Sequence, residues 1–338
     1  LSSWFKLFWC LLFAHLIVAH TTAKAPLRVF RKSGAGFEAL NPRYKGKVDG
    51  VTMQDAPFTL RLPKRQTTPV VFASPHSGRN YPWAFLRAST LDEQAIRSSE
   101  DAFVDMLFEA APDHGAVLLA ANAPRAFIDL NRSSEELDPA LIEGVRKLAH
   151  NPRVTSGLGV IPRVVSNGRA IYSGKISLDE ARARIRDHWR PYHEQLTALL
   201  QDTRYDLGQA VLIDCHSMPH EAIEAAVSGK DPKPQIVLGD RFGASAGREI
   251  VDRIEAAFAE EGLRVVRNTP FAGAYTAQHY GRPSKGQHVV QVEIDRSLYM
   301  DERLIRPSAD FEAFQALIGR VIAKVTQIGR DEVPLAAE

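Results

Sequence analysis

Two histidines in this sequence stand where an apolar run gives way to turn residues. His76 sits in Ser74-Pro75-His76-Ser77-Gly78 after Val70-Val71-Phe72-Ala73, and His216 follows Ala210-Val211-Leu212-Ile213-Asp214-Cys215. In open α/β sheets, ligand crevices form outside the C-terminal ends of strands. Two histidines so placed can converge on one ion although far apart in the chain. Catalytic zinc commonly takes three protein ligands with nitrogen and oxygen donors and keeps one position for water. The third ligand should then be a carboxylate. Glu100 and Asp101 are adjacent candidates, expected on a helix after the His76 turn with Asp105 one turn further on, and the pattern leaves both open.

Other side chains extend this constellation. On a strand, Asp214 and His216 point to one side, so Asp214 suits a partner that orients the histidine. Glu293 ends the run Val289-Val290-Gln291-Val292. A carboxylate at the exit of a buried strand gains in pKa and suits a general base, with an ion pair to Arg296 as its competing role. Arg125, Asn131 and Arg132 surround Ala126-Phe127-Ile128-Asp129-Leu130, which reads as a further short strand. Arginine grips carboxylates through a planar fork and asparagine adds an amide donor. These three would hold an acidic amino acid, or Arg125 would instead polarise a scissile carbonyl. Tyr275 and His279 fall in a Gly-containing loop between two strands, of the kind that closes over a substrate.

The surrounding elements are those of an α/β domain. Strands are expected at 70–73, 117–120, 210–215, 236–238, 265–266 and 289–294. Thr90 with Glu93 has capping-box spacing and should open a helix running to Pro112. Ser177 with Glu180 repeats that spacing ahead of a strong helical pattern through Leu200. Further helices are expected near 244–261 and 309–328. Strands alternating with helices imply a mixed, largely parallel central sheet with helices on both faces. The Gly-, Pro- and Ser-rich stretch 133–170 reads as a long functional excursion.

Composition narrows the function classes. With 338 residues, 45% hydrophobic and 24% charged, the chain has an ordinary globular make-up. A net charge of +2 gives no reason to expect nucleic acid or an anionic membrane as partner. Cys10 and Cys215 are the two cysteines, too few for a disulfide framework. Residues 1–52 are set apart from the fold, and 53–338 are read as a single domain. Lys6, the apolar run from Leu7 to Ala19 and the small-x-small site Ala23-Lys24-Ala25 have the layout of a secretory signal peptide. The competing reading is a start placed too early, the first methionine being Met53. The protein is expected to be cytoplasmic, or secreted or periplasmic if residues 1–25 are a working signal; its oligomeric state is not legible.

Six segments in order resemble the N-formylglutamate amidohydrolase family. They are Ser74 to Gly78, Asp101 to Leu107, Arg125 to Arg132, Ile213 to Pro219, Thr269 to Gly281, and Val292 to Glu302. The resemblance implies a zinc-carboxypeptidase-like fold, related also to aspartoacylases, and one bound Zn²⁺. It implies His76 and His216 as ligands and Glu293 as the base toward an activated water. The His-x-x-Glu pair of zinc carboxypeptidases is broken here, because Arg79 stands three residues after His76; Asp101 is taken as the third ligand. Arg125, Asn131 and Arg132 resemble the positions that bind the substrate carboxylate in those relatives. The implied reaction is hydrolysis of N-formyl-L-glutamate to formate and glutamate, a step of histidine breakdown, with a small acyl-amino acid as sole expected partner. Its rivals are a secreted zinc amidase or carboxypeptidase acting on peptides or cell wall, and a non-catalytic ligand-binding module.

Overall fold

The computed structural model describes residues 56–330, apart from 147–150, 166–167 and 227–232, together with a short hairpin. That hairpin pairs Arg31–Ser33 with Gly36–Glu38 and belongs to the unit Leu1–Val51, distinct from the unit Thr52–Glu338. The candidate signal peptide falls outside the described residues.

Seven strands form the sheet of the larger unit: β1 (Phe58–Arg61), β2 (Val70–Ser74), β3 (Val117–Ala121), β4 (Ala210–Met218), β5 (Ile236–Gly239), β6 (Val265–Arg267) and β7 (Gln287–Asp295), in the order β1-β3-β2-β4-β7-β5-β6. The central four, β3-β2-β4-β7, run parallel. β1 is antiparallel at one edge, and β5 and β6 run against β7 at the other. The expected mixed, largely parallel sheet is therefore present. From β2 the chain passes to β3 on one side and returns to β4 on the other. That reversal opens a crevice at the C-terminal ends of β2 and β4.

β2 and β4 are buried along their whole length, which is why they read as unbroken apolar runs. Side chains still alternate. Val70, Phe72, Val211, Ile213, Val290, Val292 and Ile294 pack on one face against the helices Arg248–Ala259 and Phe311–Val325. Val71, Ala73, Leu212 and Val289 pack on the other against Arg190–Leu207. On this second face the apolar series stops at Asp214 and His216 of β4 and at Gln291 and Glu293 of β7, all buried. Each is two residues from the next, so the polar set occupies one face at one end of the sheet.

Two local expectations are corrected. The helix expected from Glu93 to Pro112 is broken: Glu93–Arg97 is capped by Asp92, not Thr90, whose hydroxyl donates to Ala170 O at 2.9 Å. Ser98 Oγ donates to Ala95 O at 2.7 Å, the chain leaves the helix, Phe103 adopts φ 67°, and a single turn follows at Val104–Leu107. Glu100 and Asp101 thus stand on an irregular segment. The strand expected at 126–130 is a turn, because Pro124 O accepts from both Phe127 N and Ile128 N, at 2.9 and 3.2 Å. The capping box at Ser177 is formed. Its helix runs through a π segment, Ile185–Trp189, ahead of Pro191, which has no N–H to donate to the preceding turn.

Candidate active site

β2 carries His76 just past its end, and the turn there is fixed by a close approach. A Cβ at Gly78 would fall 2.1 Å from Ala123 O, so only glycine lets the two loops meet. β4 presents His216 beside Glu293 of β7, as Cα partners in register. Asp101 reaches both histidines from its irregular segment, tied there by Asp101 N donating to His76 O at 3.0 Å. Asp101 Oδ2 lies 3.0 Å from His216 Nδ1 and 3.4 Å from His76 Nδ1. The three side chains are buried, and one ligand atom from each falls within 4.8 Å of the others. Asp101 Oδ1 accepts from Arg296 Nη2 at 3.0 Å.

The outer ring nitrogens are held by carboxylates. His76 Nε2 lies 2.7 Å from Asp129 Oδ1, and His216 Nε2 lies 3.1 Å from Asp214 Oδ2. This network assigns a proton to each Nε2, so in the neutral rings both Nδ1 atoms are acceptors turned toward Asp101 Oδ2, the oxygen that His216 Nδ1 bonds at 3.0 Å when it carries a proton itself. His76 Nδ1 indeed has no hydrogen-bond partner. Three converging acceptors call for a cation, and an N, N, O donor set suits a divalent metal such as zinc. The electrostatics likewise favour positive charge at this point. Burial alone would raise Asp101, but the facing His216 and His76 rings hold it well below the usual carboxylate range. Burial opposes the His216 cation, yet Asp214 and Asp101 hold its pKa well above the ordinary value. Asp129 is driven well below its ordinary range as well, burial being outweighed by His76, Arg125 and Arg132.

Glu293 is 7% exposed. Burial pushes its pKa to about 7, with His216 and Arg125 opposing and the Asp101 charge adding to the rise. Its Oε1 accepts from Gln291 Nε2 at 2.8 Å, and Gln291 Oε1 accepts from Ala274 N at 3.1 Å. Arg296 is engaged with Asp101 and Ser217, so it is not the hydrogen-bonding partner that competed for Glu293. The alternative ligand Glu100 is buried but turned elsewhere, bonded to Tyr81 at 2.5 Å and to Arg97 at 3.0 and 3.1 Å.

The 124–132 turn supplies the remaining groups. Arg125 Nε pairs with Asp129 Oδ2 at 3.1 Å and its side chain is 27% exposed; against burial, the charges of Asp129, Asp101 and Glu293 hold its pKa above the ordinary value. Asn131 is engaged within the protein: its Oδ1 accepts from Thr276 N at 2.8 Å, and its Nδ2 lies 3.2 Å from His216 Nε2 and 3.5 Å from Asp214 Oδ2. Arg132 is buried and donates to Asn131 O at 2.8 Å and Leu158 O at 3.0 Å. Tyr275 and His279 are on a short helix, Tyr275–Tyr280, and stack with ring centroids 4.9 Å apart; Tyr275 is half-buried and His279 exposed.

Two residues escaped assignment from sequence. Asp129 was noted for spacing alone; its bond to His76 follows from the turn at Pro124. Gln291 was read as part of an apolar run, although its alternation with Glu293 was the available signal.

A buried carboxylate with a pKa near neutrality, beside a His/Asp/His cluster that calls for a cation and an arginine at its edge, defines a hydrolytic centre on an α/β sheet. The profile of the N-formylglutamate amidohydrolase family matches residues 68–300. N-formylglutamate deformylase of Pseudomonas aeruginosa is 30% identical over 273 residues, 79% of this chain and 96% of that protein. The Pseudomonas putida deformylase is 32% identical over 237 residues, 69% of this chain and 82% of its own. The crystal structure of N-formylglutamate amidohydrolase from Ralstonia eutropha JMP134, 35% identical, superposes with a TM-score of 0.77 and covers 82% of this chain and 100% of that one. The chain belongs to the N-formylglutamate amidohydrolase family, and it is a hydrolase acting on an amide bond. Among the described residues no helix is long and apolar enough to cross a membrane.

Proposed function

We propose that the protein hydrolyses N-formyl-L-glutamate to formate and L-glutamate, with a zinc ion held by His76 Nδ1, His216 Nδ1 and Asp101 Oδ2. The observation that carries this reading is the convergence of those three buried acceptors one strand away from Glu293. When bound, such an ion supplies Lewis-acid polarisation and lowers the pKa of water.

The chain's own groups do the rest. Glu293 Oε2, the oxygen not bonded to Gln291, takes a proton from the attacking water as its oxygen adds to the formyl carbon. A pKa near 7 suits both halves of the cycle. The base is ionised in a large share of molecules at neutral pH, and its conjugate acid is strong enough to protonate a leaving amine. Arg125 donates to the developing oxyanion, an interaction strengthened in a water-poor site. Glu293 then returns the proton to the nitrogen, the C–N bond breaks, and formate and glutamate leave. Asp129 and Asp214 keep the two imidazoles in one tautomer. Asn131 and Arg132 act from the turn that bears Arg125, and Tyr275 and His279 line the approach. As a step of histidine breakdown the reaction is assigned to the cytoplasm.

The test is formate release from N-formyl-L-glutamate by the full chain, before and after chelation, with metal content measured alongside. Chelator-sensitive release, restored by zinc, is expected. Release that survives complete removal of metal refutes the ion's role; absence of release with metal bound refutes the substrate.

A further inference from the structure

N-formyl-L-glutamate carries two carboxylates, whereas Arg125 is given above to the oxyanion. Arg125 Nε is paired with Asp129 and Arg132 with two backbone carbonyls. One half-buried arginine on the same side of the sheet has no side-chain partner among the described residues: Arg241.

Its placement follows from register. β5 ends at Gly239, opposite Gln291 of β7, and Val237 lies opposite Glu293. Ile236 and Leu238 are in the core on the far face, so Gly239 shares the face of Gln291 and Glu293. Beyond Gly239 the chain turns through Arg241, Phe242 and Gly243, all left-handed, at φ 54°, 56° and 85°. Side chains disfavour that conformation, and runs of it persist only where neighbours impose it. Here Asn268 does so: its Oδ1 accepts from Asp240 N and Phe242 N at 3.1 and 3.3 Å, and its Nδ2 donates to Asp240 Oδ1 at 2.6 Å.

The Arg241 stem then runs along the segment that holds the base. Arg241 N donates to Ala272 O at 2.8 Å. A Cβ built on Gly273 would meet Arg241 Cγ at 3.3 Å. The next residue, Ala274, donates to Gln291, which in turn donates to Glu293. A Cβ on Gly239 would strike the backbone of Ala272 and Gly273 at 2.7 Å, so this segment crosses the sheet in close contact.

We propose that Arg241 reads the side-chain carboxylate of the substrate and makes the site selective for acidic N-acyl amino acids. The inference rests on the reaction assigned above. A planar guanidinium offers a bidentate match to a carboxylate, and a strained turn is a reasonable means of holding an unpaired one in place.

The experiment compares N-formyl-L-glutamate with N-formyl-L-glutamine, which keeps the length and loses the charge, on the metal-loaded full chain. In Arg241→Met, kcat/KM for the acidic substrate should fall by about 100-fold, the order expected for a charge-assisted pair, through KM more than kcat. The glutamine analogue should change little, and Arg241→Lys should recover part of the loss. Calorimetric binding of L-glutamate against L-glutamine should lose its discrimination in the same variant. Phe242→Ala, at an exposed neighbour in the same turn, should leave the substrate ratio as it is. Equal losses on both substrates, or intact preference for the acidic one in both Arg241 variants, overturn the proposal while leaving the reaction standing. A wild-type enzyme that turns over neutral acyl-amino acids and not N-formyl-L-glutamate overturns both.

Discussion

Replacing Glu293 by Gln should cost activity and return stability, and the two effects can be measured apart. The carboxyl is buried, and burial lifts its pKa from 4.5 to about 7. At 1.36 kcal/mol per pKa unit, that difference corresponds to about 3 kcal/mol, an order of magnitude rather than a fixed value. Below pH 4.5 both folded and unfolded chains keep the proton, and the group contributes nothing. As pH rises from there, the unfolded carboxyl ionises while the folded one stays protonated, so folding becomes less favourable. Above about pH 7 the folded group is ionised as well and the loss reaches its full value of about 3 kcal/mol. Glutamine has no proton to lose and can still accept from Gln291. Urea unfolding of metal-free wild type and Glu293→Gln should therefore give a stability difference that grows in the variant's favour between pH 4.5 and 7 and then levels. Comparing two metal-free proteins keeps the charge of a bound ion out of the difference. In the metal-loaded protein the same variant should lose about 10²–10⁴-fold in kcat, the range for a general base, with metal content unchanged. A pH-independent stability difference, or loss of metal from the variant, would refute the assignment of Glu293 as a buried base outside the ligand set.

Three further outcomes are expected. Asp101→Ala should lower metal affinity sharply, read by competition with a chelating dye, whereas Glu100→Gln should leave it nearly intact because Glu100 is turned to Tyr81 and Arg97; the reverse order would exchange their roles. Asp129→Asn removes the carboxylate behind His76 Nε2 and should weaken metal binding by about 10–100-fold, with unaltered affinity counting against the tautomer assignment. For the wild type, kcat/KM should rise with pH as Glu293 loses its proton and flatten at or below about 7, since a bound dication favours the ionised form; a rate that falls over that range would exclude a carboxylate base.

Much of this protein is written locally in its sequence. The apolar runs that become β2, β4 and β7 are recognisable because strands buried on both faces need no polar alternation. His76, Asp214, His216 and Glu293 stand out because they interrupt or end those runs at positions where only one face can receive them. Ser177 with Glu180 marks a helix start through bonds made within a single turn. What the sequence could not decide depends on distant partners. Glu100 and Asp101 are chemically equivalent neighbours, and the choice between them lies in which one meets Arg296, 195 residues away along the chain, and the two histidines across the crevice. The helix expected around them breaks because those long-range bonds outweigh local helical preference, which is weak per residue. The 126–130 segment has strand-like composition but pairs with no strand among the described residues, and Pro124 with Asp129 closes it into a turn instead. Arg241 carries no sequence signal at all: its unpaired charge and its place past the end of β5, against Ala272 and Gly273, arise from the antiparallel register of β5 against β7 and from the close passage of that segment. Local periodicity fixes which face a side chain takes; only the pairing of strands and the meeting of loops fixes what that face confronts.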